Sequence, residues 1–151
     1  MVSFSDSASD QFDSDSSRGG AKAGIGEDKR KLTILVVDDD ETNLTLARAL
    51  LEADGFAVVT ATDAISTFEV LKGVDPALIL MDIQLPGMDG WELTSRLKKN
   101  VATRHIPVIA VTAYGKHGDA ERARATGFVE FVAKPVSTRE LPAIIRKHLG
   151  R

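Results

Sequence analysis

Acidic, hydroxyl and amine side chains stand where four short apolar runs of this chain end. Ile34–Val37 is followed by Asp38 and Asp39, Leu78–Met81 by Asp82, Val108–Val111 by Thr112, and Phe131–Ala133 by Lys134. A carboxylate can attack a phosphoryl group or hold a metal ion, while a hydroxyl and an ammonium can stabilise an added anion. Three carboxylates gathered without a cation repel one another and raise a pKa, and a hard divalent ion such as Mg²⁺ relieves that. Short β-branched runs separated by helical patterns read as buried strands of a parallel sheet. The ligand crevice of such a sheet lies beyond the carboxyl ends of its strands, so these groups are expected to converge at one edge.

The elements that must position them alternate regularly from Leu32 onward. Strands are predicted at Leu32–Val37, Phe56–Thr60, Ala77–Met81, Pro107–Val111 and Phe128–Ala133. Between them helices are predicted over Thr42–Ala53, from Asp63 as N-cap to Lys72, over Trp91–Asn100 and over Asp119–Thr126. Gly55 and Gly127 supply helix stops. A last helix is expected from a Ser137-Thr138-Arg139-Glu140 capping box to His148, with Pro142 at its fourth or fifth position weakening the first turn. Asp40 and Glu41 favour the N-terminus of the first helix. Five strands alternating with five helices predict a doubly wound, flavodoxin-like α/β domain over residues 31–151, with parallel strand order 2-1-3-4-5.

Composition narrows the function. The chain has 151 residues, a net charge of −3 and no cysteine. One domain is the expectation, without disulfides or thiolate chemistry. The acidic balance argues against a nucleic-acid partner. No apolar run approaches the ~20 residues of a membrane helix, and no secretory signal is evident, so a cytoplasmic protein without a membrane partner is expected. Residues 1–30 form a Ser/Asp- then Gly-rich tract too polar to offset the entropy of ordering, and read as a disordered tail. Its isolated aromatics Phe4 and Phe12 are candidates for docking anchors.

Taken together, Asp38-Asp39, Leu78-Ile79-Leu80-Met81-Asp82, Leu85-Pro86-Gly87-Met88-Asp89-Gly90, Val111-Thr112-Ala113 and Lys134-Pro135 resemble the receiver domain of two-component response regulators. The resemblance spans about Leu32–Leu149. The runs Met81–Pro86 and His105–Thr112 are similar to single-domain regulators of the DivK type. The resemblance implies that Asp82 is the phosphoacceptor, that Asp39, Asp82 and the backbone carbonyl of Gln84 bind Mg²⁺ directly, and that Asp38 holds a metal water. It further implies that Thr112 and Lys134 contact the phosphoryl oxygens, with Ala113 leaving space and the Lys134–Pro135 bond cis. Thr112 and Phe131 match the family's switch pair. Gln84 and Tyr114 match positions that tune dephosphorylation, implying a phosphate lifetime of minutes or longer.

The implied partners are a sensor histidine kinase or a histidine phosphotransfer protein. A downstream protein is expected on the last two helices and the fifth strand. On this reading the chain catalyses only its own phosphoryl transfer and slow dephosphorylation, and is not otherwise an enzyme. Two other classes share parts of the pattern. A receiver-like interaction module could keep the fold and bind partners without phosphorylation. A Mg²⁺-dependent phosphatase usually needs a second acid two residues after its nucleophile, where this chain has Gln84. His105, His117 and His148 form no ligand grouping by spacing and are expected at the surface. Trp91 reads as a packing residue rather than part of a ligand site.

Overall fold

The computed structural model describes residues 31–113 and 119–150. The sequence-predicted Phe4 and Phe12 anchors, the tail that carries them, Tyr114 and His117 lie outside the described residues. Strands β1 (Thr33–Val37), β2 (Ala57–Ala61), β3 (Leu78–Asp82), β4 (Val108–Thr112) and β5 (Glu130–Ala133) pair in parallel in the order β2-β1-β3-β4-β5. Helices α1 (Glu41–Ala53), α2 (Ala64–Gly73), α3 (Gly90–Lys99), α4 (Asp119–Thr126) and α5 (Glu140–Leu149) connect them or follow the last strand. The switch in winding falls between β1 and β3, where the register sets Val37 beside Met81.

The twofold repeat of a strand sends alternate residues to opposite faces. Leu35, Val37, Ile79, Met81, Val108 and Ala110 pack on one face with Ala64, Leu93, Leu97 and Ala123 from α2, α3 and α4. Ile34, Val36, Leu78, Leu80, Ile109 and Val111 pack on the other with Leu44, Leu51, Leu141 and Ile145 from α1 and α5. Each fully buried Leu or Ile contributes about 1.5–3 kcal/mol of apolar transfer free energy, which makes the central strands a stiff platform.

Helix starts follow the local chemistry. Asp40 accepts the N–H groups of Thr42 and Asn43 and opens α1, and Asp63 forms a reciprocal cap with Ser66 at α2. Asp89 accepts the N–H of Glu92 at α3. Gly55 and Gly127 adopt φ of 95° and 117°, a left-handed conformation that ends a helix at little cost for glycine.

Several boundaries differ from the sequence reading for identifiable reasons. The third and fourth strands run one residue further, because Asp82 pairs with Val111 and Thr112 with Ala133 in the ladder. In these two strands the polar residue at the end of the apolar run is therefore part of the strand, whereas Asp38 and Lys134 follow theirs. The fifth strand starts at Glu130 rather than Phe128, since the Phe128 N–H is held by Ala123 O in the turn closing α4. The last helix starts at Glu140 rather than near Ser137. Ser137 still accepts the Glu140 N–H at 3.2 Å, half of the expected box. The Leu141 N–H also reaches Ser137 O at 3.0 Å, so a first turn does begin there. Pro142, having no N–H, cannot continue the ladder, which leaves that turn irregular as expected.

Candidate functional site

The site is assembled at the carboxyl ends of four strands. Asp38 follows β1 directly, and its N–H donates to Ala61 O at the end of β2 at 3.0 Å. The residue is 6% exposed. The Oδ1 atom accepts the Asp40 N–H at 2.9 Å, and Oδ2 accepts the Asn43 amide at 3.1 Å. The acidic run thus divides its work, with Asp38 turned inward, Asp40 capping α1 and Asp39 exposed.

Asp82 closes β3 and is equally secluded, with Oδ1 accepting the Gln84 N–H at 3.0 Å. Thr112 closes β4 and is buried, and its carbonyl accepts the Lys134 N–H at 2.7 Å. That bond places Lys134 beside the two acids. The Lys134–Pro135 peptide is cis. The Lys134 ammonium lies 3.3 Å from Asp38 Oδ2 and 3.2 Å from Asp82 Oδ2, bridging the ends of β1 and β3 from the far strand.

Carboxylate oxygens of Asp38, Asp39 and Asp82 lie within 4.8 Å of one another. Burial raises the Asp82 pKa above the ordinary carboxylate value; the Asp38 charge adds to this, while the Gln84 N–H and Lys134 oppose it. Burial pulls the Lys134 ammonium down, but Asp82 and Asp38 outweigh it and hold its pKa above the usual lysine value. One ammonium against three carboxylates leaves the site short of positive charge. An all-oxygen set at this spacing suits a hard divalent cation.

Gly90 is a functional position that the sequence reading treated only as part of a turn. A Cβ there would lie 2.5 Å from Asp82 O and 2.7 Å from Ile83 Cα, so only glycine lets α3 begin against the strand that carries Asp82. The Asp-Gly pair before a helix was the visible signal; the close approach was not. Asn43 was missed as well. Beside the acids, a cavity of about 420 Å³ runs from Asp82 and Lys134 along Leu46, Leu50 and Val136.

The other sequence candidates fall in different surroundings. Gln84 is exposed, and its N–H serves Asp82. Phe131 is half-buried on β5 and packs with the α3 and α4 side of the core. Trp91 packs edge-on against Phe128 at 5.7 Å and lies under the Arg122 guanidinium at 4.1 Å. His105 is exposed and faces Asp75 at 3.3 Å. His148 departs from its expected surface position. It is half-buried and meets Glu130 Oε1 at 2.8 Å, because β5 opens on a carboxylate that faces the last turn of α5.

A fold of this topology with clustered acids and a lysine at its strand ends defines a receiver. The chain belongs to the response regulator receiver domain family, whose sequence model matches residues 34–146. Among curated proteins it is 40% identical over 118 residues to the polar-differentiation response regulator DivK of Brucella ovis, covering 78% of this chain and 96% of that one. The DivK of Brucella anthropi matches at the same identity and coverage. Among solved structures, the receiver domain of a sensor histidine kinase from Pseudomonas aeruginosa, described with a magnesium ion coordinated in its active-site cleft, is 31% identical. It covers 81% of this chain and 100% of its own length, with a TM-score of 0.73. A CheY-like receiver domain protein from Methanospirillum hungatei is 30% identical with a TM-score of 0.74, covering 80% of this chain and 95% of that one.

Proposed function

We propose that this receiver accepts a phosphoryl group on Asp82 from a phosphohistidine of a sensor histidine kinase or phosphotransfer protein, and signals by phosphorylation-dependent protein binding. An Asp82 carboxylate oxygen attacks phosphorus in line, the phosphorus–nitrogen bond breaks, and the imidazole leaves with that electron pair. Asp38, Asp39, Asp82 and the Gln84 carbonyl would hold Mg²⁺, which when bound supplies neutralising charge to the phosphoryl oxygens. Lys134 exchanges its carboxylate partners for a phosphoryl oxygen, and Thr112 donates its hydroxyl to another. Ala113 keeps the approach open beside them. The apolar lining of the cavity along α1 suits the helix that presents the phosphohistidine.

The observation that supports this reading most is the Lys134 ammonium held between Asp38 and Asp82. A lysine brought there across two intervening strands is costly unless its charge is used at that point. Output falls to the face formed by α4, β5 and α5, with Phe131 and Thr112 as the coupled pair. Gln84 and Tyr114 set the phosphate lifetime, which is minutes or longer. On this proposal the chain works in the cytoplasm, binds no nucleic acid and turns over no outside substrate.

Incubation with Mg²⁺ and a small acyl phosphate tests the central step. The intact mass should gain one phosphoryl group that hydroxylamine removes. Asp82→Asn should show no such gain. Equal labelling of both proteins overturns the assignment.

A further inference from the structure

We propose that Asn43 is a positioning residue for Asp38, taking over its Oδ2 atom when Lys134 leaves for an incoming phosphoryl group. The inference rests on the metal and phosphoryl roles proposed above and adds a residue to them.

Asn43 stands at the third position of α1, after the Asp40 cap. A side chain at this position ordinarily turns back to the N–H of the capping residue. Here the Asp40 N–H is already given to Asp38 Oδ1 at 2.9 Å, and the Asn43 amide is redirected to Asp38 Oδ2 at 3.1 Å. Asp38 therefore occupies the place of the usual capping partner, and the first turn of α1 becomes a clamp on its carboxylate. An ionised carboxylate only accepts, so the amide must present Nδ2 to it. The Glu that commonly fills this helix position would repel Asp38, whereas an amide donates.

The second donor on Oδ2 is Lys134, at the longer distance of 3.3 Å and shared with Asp82. Departure of that ammonium would strip Oδ2 of a partner while the carboxylate stays secluded. A buried acceptor without a donor is unfavourable, and a displaced carboxylate no longer presents its lone pairs at the right place. Asn43 is half-buried and lines the same cavity as Asp38, Asp82 and Lys134, so its amide is at hand throughout.

Calorimetric Mg²⁺ titration of the full chain tests this, paired with acyl phosphate labelling rates across Mg²⁺ concentration. Asn43→Leu should weaken Mg²⁺ binding about tenfold, in the range of losses seen when a partner of a metal ligand is removed. Its labelling rate at saturating Mg²⁺ should stay within about twofold of wild type, a split that separates positioning from chemistry. In a Lys134→Ala background, where Asn43 is the remaining donor, the same substitution should weaken Mg²⁺ binding by a larger factor. Metal-free melting curves report folding, and Asn43→Ser, too short to reach Oδ2, should reproduce the loss if leucine disturbs α1. Unchanged Mg²⁺ affinity in the Asn43 variants of a binding wild type overturns the role of Asn43 alone. Equal penalties in the two backgrounds overturn the hand-over from Lys134. A wild type that takes up no Mg²⁺ overturns the metal site and this inference together.

Discussion

The centre of the sheet and its β5 edge are built differently. β3 and β4 are buried at every residue and β1 at all but its first, whereas β5 is half-buried and ends on an exposed Ala133. α3 sinks Gly90, Leu93, Thr94 and Leu97, while α4 sinks only Ala123. The acids and Thr112 are thus carried by strands that move only if the core opens. Lys134 is carried by the edge, where local motion sacrifices few apolar contacts. This teaches a division of labour: the centre fixes where a phosphoryl group would sit, and the edge is free to respond.

Substituting Gly90 should break the comparison most severely. The added Cβ of Gly90→Ala meets backbone atoms at 2.5 and 2.7 Å, so α3 must lift off β3. Overpacking of this kind should cost about 3 kcal/mol in urea unfolding. A loss below about 0.5 kcal/mol, typical of surface sites, would mean the centre is no stiffer than the edge.

Lys134→Ala removes a side chain that joins the two regions. At neutral pH without Mg²⁺ it should cost on the order of 2 kcal/mol, less than a sealed pair because the cleft opens to solvent. The sign with pH follows from Asp82. Its folded pKa lies above the ordinary 3.8, so its contribution to stability is full below that value and is lost as pH rises through the raised pKa. Without Lys134 the opposition between Asp82 and Asp38 grows, so the deficit should shrink in acidic buffer and on adding Mg²⁺. A deficit independent of both, measured by urea titration, would detach Lys134 from the acids.

Glu130→Gln sharpens the comparison from the edge. The His148 hydrogen bond, with help from Lys147, holds the Glu130 pKa below its ordinary 4.5. The stability it contributes is present above that value and fades as pH falls through the lowered pKa. The substitution should cost only about 0.5 kcal/mol at neutral pH, and less in acid. A cost rivalling that of Gly90→Ala would show that the edge is not loosely built.

Much of this arrangement was legible in the chain because strands and chemistry were written in the same places. Apolar runs interrupted by Asp82, Thr112 and Lys134 mark both a strand and the group at its end, and parallel pairing does the rest. The run ends misled by one residue at β3 and β4, since ladder hydrogen bonds ignore whether a side chain is polar. What pattern could not reveal was contact between segments. Nothing in Asp-Gly says that Gly90 touches Asp82, and a polar Asn43 in a helix start reads as surface until Asp38 is found opposite it. The Lys134 contacts with Asp38 and Asp82 likewise depend on β5 lying two strands from β3.

Trp91 is the chain's single tryptophan, and it lies on the seam between these regions. Its indole belongs to α3 while the guanidinium over its face, 4.1 Å from the ring centre, belongs to α4. Indole emission responds to a nearby cation and to water. The protein therefore carries an intrinsic fluorophore whose colour and yield should follow separation of α4 from α3. A stopped-flow trace excited at the tryptophan band can time that movement against arrival of the phosphoryl group, with no dye attached.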